Sequence, residues 1–295
     1  MSYLFDESIN NKTNNDEINI IQSKNNKKII DCFIFYNELD LLMYRLNILN
    51  NVVDCFIIVE SKYTFSGKEK NLLYEENKHL FESFAHKIIH IVLCDFPYKY
   101  PNIDYNLNQQ WTNEYYQRNC IHLGINKLNL DNNDIIIISD VDEIPDYKTL
   151  NKIKNNDTNI DIASLELDFY YYNLNSKITD KWYLSKIILY KKYKELSITC
   201  NDIRNLQCPI IKNGGWHLSY FGNSSFIKNK IENFSHQEFN NNHYTNIDNI
   251  DNHINNFNDL YNRPNNSIQK ISIKDNNYLP YEYDKYLTKY IIYID

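Results

Sequence analysis

The sequence predicts an α/β protein with a mostly parallel central sheet and helices on both faces. Three observations carry this expectation. Apolar runs of strand length, IIDCFIFY, VVDCFIIVE, IIHIVLCD and DIIIISD, recur along the first half of the 295-residue chain. Segments with apolar residues at helical spacing separate them. The runs are apolar at successive rather than alternate positions, so each strand is buried on both faces, as parallel strands under crossover helices are.

Taken in order, residues 1–27 are polar and rich in Asn, Lys and Asp, and read as a flexible leader with neither a signal-peptide core nor a membrane anchor. Residues 29–36 form the first strand, and Leu39, Leu42, Met43, Leu46 and Leu49 then recur at helical spacing. Residues 52–60 are the second strand, 72–84 a helix, 88–95 the third strand, 109–128 a longer helix and 134–140 the fourth strand. Beyond this the pattern changes. Residues 160–173 and 182–193 read as longer, Tyr-rich strands, 202–206 as a short helix and 224–239 as another. No repeat or linker interrupts residues 28–264, which read as one domain, with 265–295 as an extension packed on it.

Composition excludes several functions. With 5 Gly and 6 Pro, the chain contains no GxGxxG and no GxxxxGK[ST] phosphate loop. A net charge of −7 and a pI near 5.6 argue against a nucleic-acid or anionic-lipid surface. No apolar run approaches the roughly 18 residues that span a bilayer, so a cytoplasmic or otherwise soluble protein is expected. The six Cys show neither CxxC nor zinc spacing, and Cys32, Cys55 and Cys94 lie in apolar runs, as buried free thiols of a reducing compartment do. The excess of Asn (48) and Tyr (26) follows A/T-rich codons, a bias that suits a large DNA virus or an A/T-rich microbe.

Chemistry concentrates where the strands end. Ligands of open parallel sheets bind beyond the carboxyl ends of the strands, and those ends carry Asn37-Glu38, Glu60-Ser61, Asp95 and Asp140. The sharpest signal is SDVDEIP at residues 139–145. A bare Asp-x-Asp says little, but here a run of Ile delivers Asp140, Asp142 and Glu143 to a strand end, and crowded carboxylates need a cation between them. Acids decorating a helix N-terminus are the structural alternative. A hard cation, Mn²⁺ or Mg²⁺, would let an acidic protein hold a nucleoside diphosphate without a glycine loop. The second signal is GGWHLSYFG at residues 214–222, with three of the five glycines around His217. Imidazole is a good Mn²⁺ ligand, and Trp216 and Tyr220 offer faces on which sugars stack.

Together FYNELDLLMYRLNIL, VVDCFIIVESKYTFSGK, the W-x-x-E-x-x-x-R of Trp111, Glu114 and Arg118, IIIISDVDEIP and GGWHLSYFG resemble glycosyltransferase family 17, in order from about residue 28 to about residue 264. The resemblance implies a GT-A-like single domain with a Rossmann-like nucleotide-binding half joined to an acceptor half. It also implies a UDP-sugar donor, UDP-GlcNAc, a divalent cation, a glycan acceptor and inversion at the anomeric carbon. By resemblance Asp142 ligates the metal, Asp140 reaches the ribose or a metal-bound water, and His217 is the late metal ligand. Asn37, Glu38 and Glu60 fall where the nucleotide rests. Arg118 is placed to pair with Glu60 or reach the donor, or to form an ion pair with Glu114 on its own helix. Inversion needs a general base. Glu166, Asp168, Asp202 and Glu238 are the candidates, Asp202 being favoured although it is equally suited to begin a helix. Two rivals remain: a phosphohydrolase using Asp140 as nucleophile, disfavoured by Ile144 and Pro145 after the acids, and a carbohydrate-binding module built on Trp111, Trp182 and Trp216.

Overall fold

The computed structural model describes residues 27–155, 160–263 and 267–292. The expected leader, apart from its last residue, and parts of the expected C-terminal extension lie outside them.

Four parallel strands form the first half: β1 (Ile29–Phe35), β2 (Cys55–Ser61), β3 (Ile88–Leu93) and β4 (Ile135–Asp140), in the order β3-β2-β1-β4. Their successive apolar residues face two separate cores. Ile29, Phe33 and Phe35 join Phe56, Ile58, Ile135 and Ile137 on one face, under Leu41, Leu42 and Leu46 of α1 (Leu39–Leu49). Ile30, Cys32 and Ile34 join Ile57, Val59, Ile136 and Ile138 on the other. Burying each large apolar side chain stabilises by roughly 1.5–3 kcal/mol relative to exposure, which is why a doubly covered strand tolerates so few polar residues. Asp31 of β1, charged and fully buried in the middle of its strand, is one exception.

The crossover segments are more broken than their hydrophobic spacing suggests. Residues 72–84 divide into α2 (Leu73–Glu76) and a 3₁₀ stretch, Lys78–Lys87, kinked at Phe81. The helix expected at 109–128 parts at Cys120 into α3 (Gln109–Asn119) and α4 (Ile121–Ile125).

The second half extends the same sheet with mainly antiparallel strands. After β5 (Glu143–Pro145) and α5 (Tyr147–Lys154) come β6 (Ile162–Tyr171), β7 (Ser176–Trp182) and β8 (Lys186–Leu189). β7 and β8 both run antiparallel to β6, and β8 also pairs with β4, joining the halves. The strand expected at 182–193 is therefore corrected: Trp182 ends β7, and Tyr190 already belongs to α6 (Tyr190–Leu196). Tyr190, Tyr193 and Leu196 recur every third residue, a helical spacing within a stretch that alternates apolar and charged residues. Then follow α7 (Cys200–Asn205), β9 (Ile210–Ser219), α8 (Ser224–Asn233), α9 (Ile247–Asn255), β10 (Ile268–Lys270) and α10 (Tyr283–Tyr286). β9 lies parallel to β6 and antiparallel to β5, and β10 edges the sheet beside β7. Among the described residues no helix is long and apolar enough to cross a membrane.

Candidate active site

The order β3-β2-β1-β4 reverses direction between β1 and β4, and the carboxyl ends flanking such a reversal splay apart to leave a crevice. A cavity of about 420 Å³ opens there. Its walls include Tyr36 and Glu38 after β1, Asp140 at the end of β4, Asp142 just beyond it, and Arg118 of α3. Arg204 of α7, His217 of β9 and Lys230 of α8 add further polar groups.

Strand pairing assembles the acids with the imidazole. In the β5–β9 ladder Glu143 lies opposite His217, Ile144 opposite Trp216 and Pro145 opposite Gly215. The Leu218 N–H donates to the Asp142 carbonyl at 2.8 Å, and Asp142 Oδ1 lies 3.6 Å from His217 Nε2. Gly215 is required for this approach: its φ is +142°, and a Cβ there would sit 2.0 Å from the Ile144 carbonyl oxygen. The His217 ring stacks on Phe169 at 4.5 Å and packs against Trp182 at 4.5 Å. Its buried Nδ1 has no hydrogen-bond partner among the described residues.

Arginines hold the acidic loop. Arg45 of α1, fully buried, answers Asp31 with two bonds of 2.8 and 2.6 Å. Its remaining N–H groups donate to Ser139 Oγ (2.6 Å) and to the carbonyls of Asp140 (2.8 Å), Val141 (3.2 Å) and Glu143 (2.8 Å). Arg204 bridges Asp140 Oδ2 (2.7 Å) and both oxygens of Glu143 (2.5 and 2.7 Å). Glu143 also accepts from Trp182 Nε1 and Ser185 Oγ, at 2.6 and 2.7 Å. Burial would raise the Glu143 carboxyl, but Arg204 outweighs it and leaves it below the ordinary range. The cation that crowded carboxylates demand is, for Asp140 and Glu143, a guanidinium of the protein itself.

Asp142 has a different environment. Lys230 Nζ lies 3.0 Å from its Oδ2. Burial pushes this carboxyl up, while Lys230 and His217 pull it well below the usual carboxylate range. Among the described residues no group of three or more His, Cys, Asp or Glu side chains gathers as a ready metal cage. Asp142 and His217 nonetheless present one carboxylate and one imidazole to the same space. That carboxylate–imidazole pair is a donor set that would suit a divalent cation. Asp140, committed to Arg118 and Arg204, is placed as an anchor of those guanidinium groups.

The family model for glycosyltransferase family 17 matches residues 4–274. The chain belongs to glycosyltransferase family 17. It is also similar to the β-1,4-mannosyl-glycoprotein 4-β-N-acetylglucosaminyltransferases of Rattus norvegicus, Homo sapiens and Mus musculus. Identity to each is 32% over 123 residues, which is 40% of this chain and 22% of the relative. The matched stretch thus spans about a fifth of the length of these curated relatives. Family membership displaces both the phosphohydrolase and the non-catalytic carbohydrate-binding readings.

Within this family-17 site, the residues singled out from sequence divide sharply. Asp140, Asp142, Glu38, Arg118, His217 and Tyr220 all line the cavity. Arg118 meets Glu114 (2.8 Å) and Asp140 (3.1 Å), not Glu60. Glu60 is fully buried beside the cavity, accepting from Tyr74 N and meeting His90, each at 3.0 Å, and it holds Lys70, which does line the wall, at 3.6 Å. The Asn37 side chain turns away to Asn229. Trp216 faces the core opposite, where its indole N–H donates to the Tyr278 carbonyl at 3.1 Å. Tyr220 shares a 2.6 Å hydroxyl bond with Tyr261.

None of the four base candidates borders the cavity. On β6, Phe169 and Tyr171 point into it, and strand alternation sends Asp168 to the other face, between Lys177 and Lys181. Glu166, half-buried, accepts from the Tyr183 hydroxyl at 3.4 Å. Asp202 is exposed and forms a capping box with Thr199 at the start of α7. Glu238 is exposed but grips Nδ1 of His236, a lining residue, at 2.6 Å. Sequence reasoning missed Arg45, Arg204 and Lys230. A usable signal existed for the first: Asp31 inside a doubly buried strand needs a buried cation.

Proposed function

We propose that the chain transfers N-acetylglucosamine from UDP-N-acetylglucosamine to a hydroxyl of a glycan acceptor, with inversion and with help from Mn²⁺ or Mg²⁺. The single observation that carries this reading is the meeting of Asp142 and His217 with Arg118, Arg204 and Lys230 in one cavity at the β1/β4 reversal. The names of the 32%-identical relatives support the choice of sugar. The cation, when bound, would stabilise the negative charge that develops on the departing diphosphate.

The chain's own residues do the rest. Asp142 and His217 hold the cation. Arg118, Arg204 and Lys230 raise the local positive charge, so that an acidic protein accepts a diphosphate. Phe169, Tyr171, Trp182 and Tyr220 form an aromatic wall against which an acceptor sugar stacks. Of the sequence's base candidates, Glu238 reaches the cavity through His236, and this pair takes the proton of the acceptor hydroxyl, His236 at Nε2 with Glu238 fixing Nδ1.

Thermal unfolding with UDP, GDP and CMP, each with and without Mn²⁺, tests the donor and the metal together. UDP with Mn²⁺ at about a hundred times its Kd should stabilise by about 2.7 kcal/mol, a shift of roughly 5 °C. The shift should vanish in Asp142→Ala. Equal stabilisation by UDP in EDTA would remove the metal from the reading, and preference for GDP or CMP would remove the donor.

A further inference from the structure

Lys230 occupies a position that a dication on Asp142 would contest. Its ammonium lies 3.0 Å from Asp142 Oδ2 and 3.4 Å from Glu38 Oε1, and 5.4 Å from the centre of the Tyr220 ring. The three side chains are largely shielded from water, at 17, 9 and 6% exposure for Lys230, Asp142 and Glu38. The backbone beneath Lys230 is anchored independently of these acids. Asn223 caps α8 through the Phe226 N–H, and Ile227 and Ile231 are fully buried on its inner side. Only the flexible stem decides where the ammonium goes, and a lysine ammonium is a mobile point charge, unlike the rigid forks of Arg118 and Arg204.

A hard divalent cation bound to a carboxylate sits about 2.0–2.6 Å from its oxygen. Held by Asp142 Oδ1 and His217, it would face the ammonium on Oδ2 across a single carboxylate, two like charges in a site with little water to screen them. Glu38 keeps its other oxygen on the N–H groups of Tyr36 (3.3 Å) and Asn37 (3.0 Å), so it stays fixed whether or not the lysine remains. A diphosphate brings anionic oxygens to the same space and gives the ammonium somewhere else to pair.

Resting on the donor-and-metal reading above, we infer that Lys230 is an exchangeable counter-cation. It pairs with Asp142 and Glu38 as seen here, and passes to the diphosphate of the nucleotide sugar when a divalent cation takes Asp142. Metal alone must evict the ammonium and binds weakly. Metal and nucleotide together satisfy every charge, so each strengthens the other.

Titration calorimetry with Mn²⁺ alone, and with UDP in the presence and absence of Mn²⁺, decides the matter on wild type and Lys230→Met. In the wild type, UDP should tighten Mn²⁺ binding by roughly tenfold or more. In Lys230→Met, Mn²⁺ alone should bind roughly tenfold tighter, UDP with Mn²⁺ weaker, and the mutual enhancement should largely disappear. Lys230→Gln, neutral but still a donor, should behave in the same way and serves if the Met variant does not fold. Unchanged or weaker binding of Mn²⁺ alone by the neutral variants, with UDP weakened, would make Lys230 a plain phosphate ligand and overturn the exchange. A wild type that binds neither Mn²⁺ nor UDP would fail the donor-and-metal reading itself, and this inference with it.

Discussion

Arg45 shows how one side chain sets the geometry of a distant site. It lies over the Phe33 ring at 4.3 Å, neutralises Asp31 and ties down three carbonyls of the loop that carries Asp140 and Asp142. Removing one partner of such a pair strands a buried charge. Arg45→Met should therefore cost about 3–5 kcal/mol, read from urea unfolding. Adding Asp31→Leu should recover most of that stability, because the stranded carboxylate goes too. The double variant should still show a diminished UDP–Mn²⁺ thermal shift, since the loop carbonyls remain without their donor. Full recovery of the shift would leave Arg45 a purely structural residue. Also on the cavity wall, His236→Gln should lower kcat by roughly 10²-fold or more and leave the UDP–Mn²⁺ shift in place. Loss of both together would instead place His236 in donor binding.

At the scale of elements, the β5–β9 ladder does the assembling. Its register alone puts Asp142 beside His217, and Gly215 makes the register possible. Gly215→Ala should cost at least about 1–3 kcal/mol, since an alanine must take up positive φ and drive β5 away from β9. It should also weaken Mn²⁺ binding by separating the two donors, measurable in the same titrations. A destabilised variant with wild-type metal affinity would show that the pair does not act as one site. The glycines around His217 were legible from composition, since three within nine residues stand out in so glycine-poor a chain. The parallel strands were legible from their doubly apolar runs. The strand read at 182–193 was not resolved correctly, because β8 runs into α6 with no Gly or Pro between them and only pairing with β4 and β6 shows where extension stops.

Across the whole molecule, β8 stitches the parallel half to the antiparallel half through Ile135–Leu189, Ile136–Ile188 and Ile137–Ile187 pairs. A sheet continuous through the parallel and antiparallel halves should unfold as one unit. Far-UV circular dichroism and Trp fluorescence should give coincident urea midpoints, with Trp111 reporting on α3 and Trp182 and Trp216 on the second half. Two separated transitions would divide the chain into independent domains. The cavity's mixed charge also belongs to this scale. Net charge, −7 over the whole sequence, is an average that conceals Arg118, Arg204 and Lys230 converging from α3, α7 and α8.

By itself the sequence determined that β1, β2 and β4 are buried on two faces, though not that the edge strand β3 is only half-buried, and which strand end bears the acids, because burial and periodicity are written into neighbouring residues. It also carried the family likeness. Only the tertiary structure decided which cation answers which carboxylate. Arg204 meets Glu143 across 61 positions and Lys230 meets Asp142 across 88, so those pairings exist only once the sheet has closed. It likewise sent Asp168 and Trp216 away from the cavity, since the face a strand residue adopts depends on the register of its partners and not on its own chemistry.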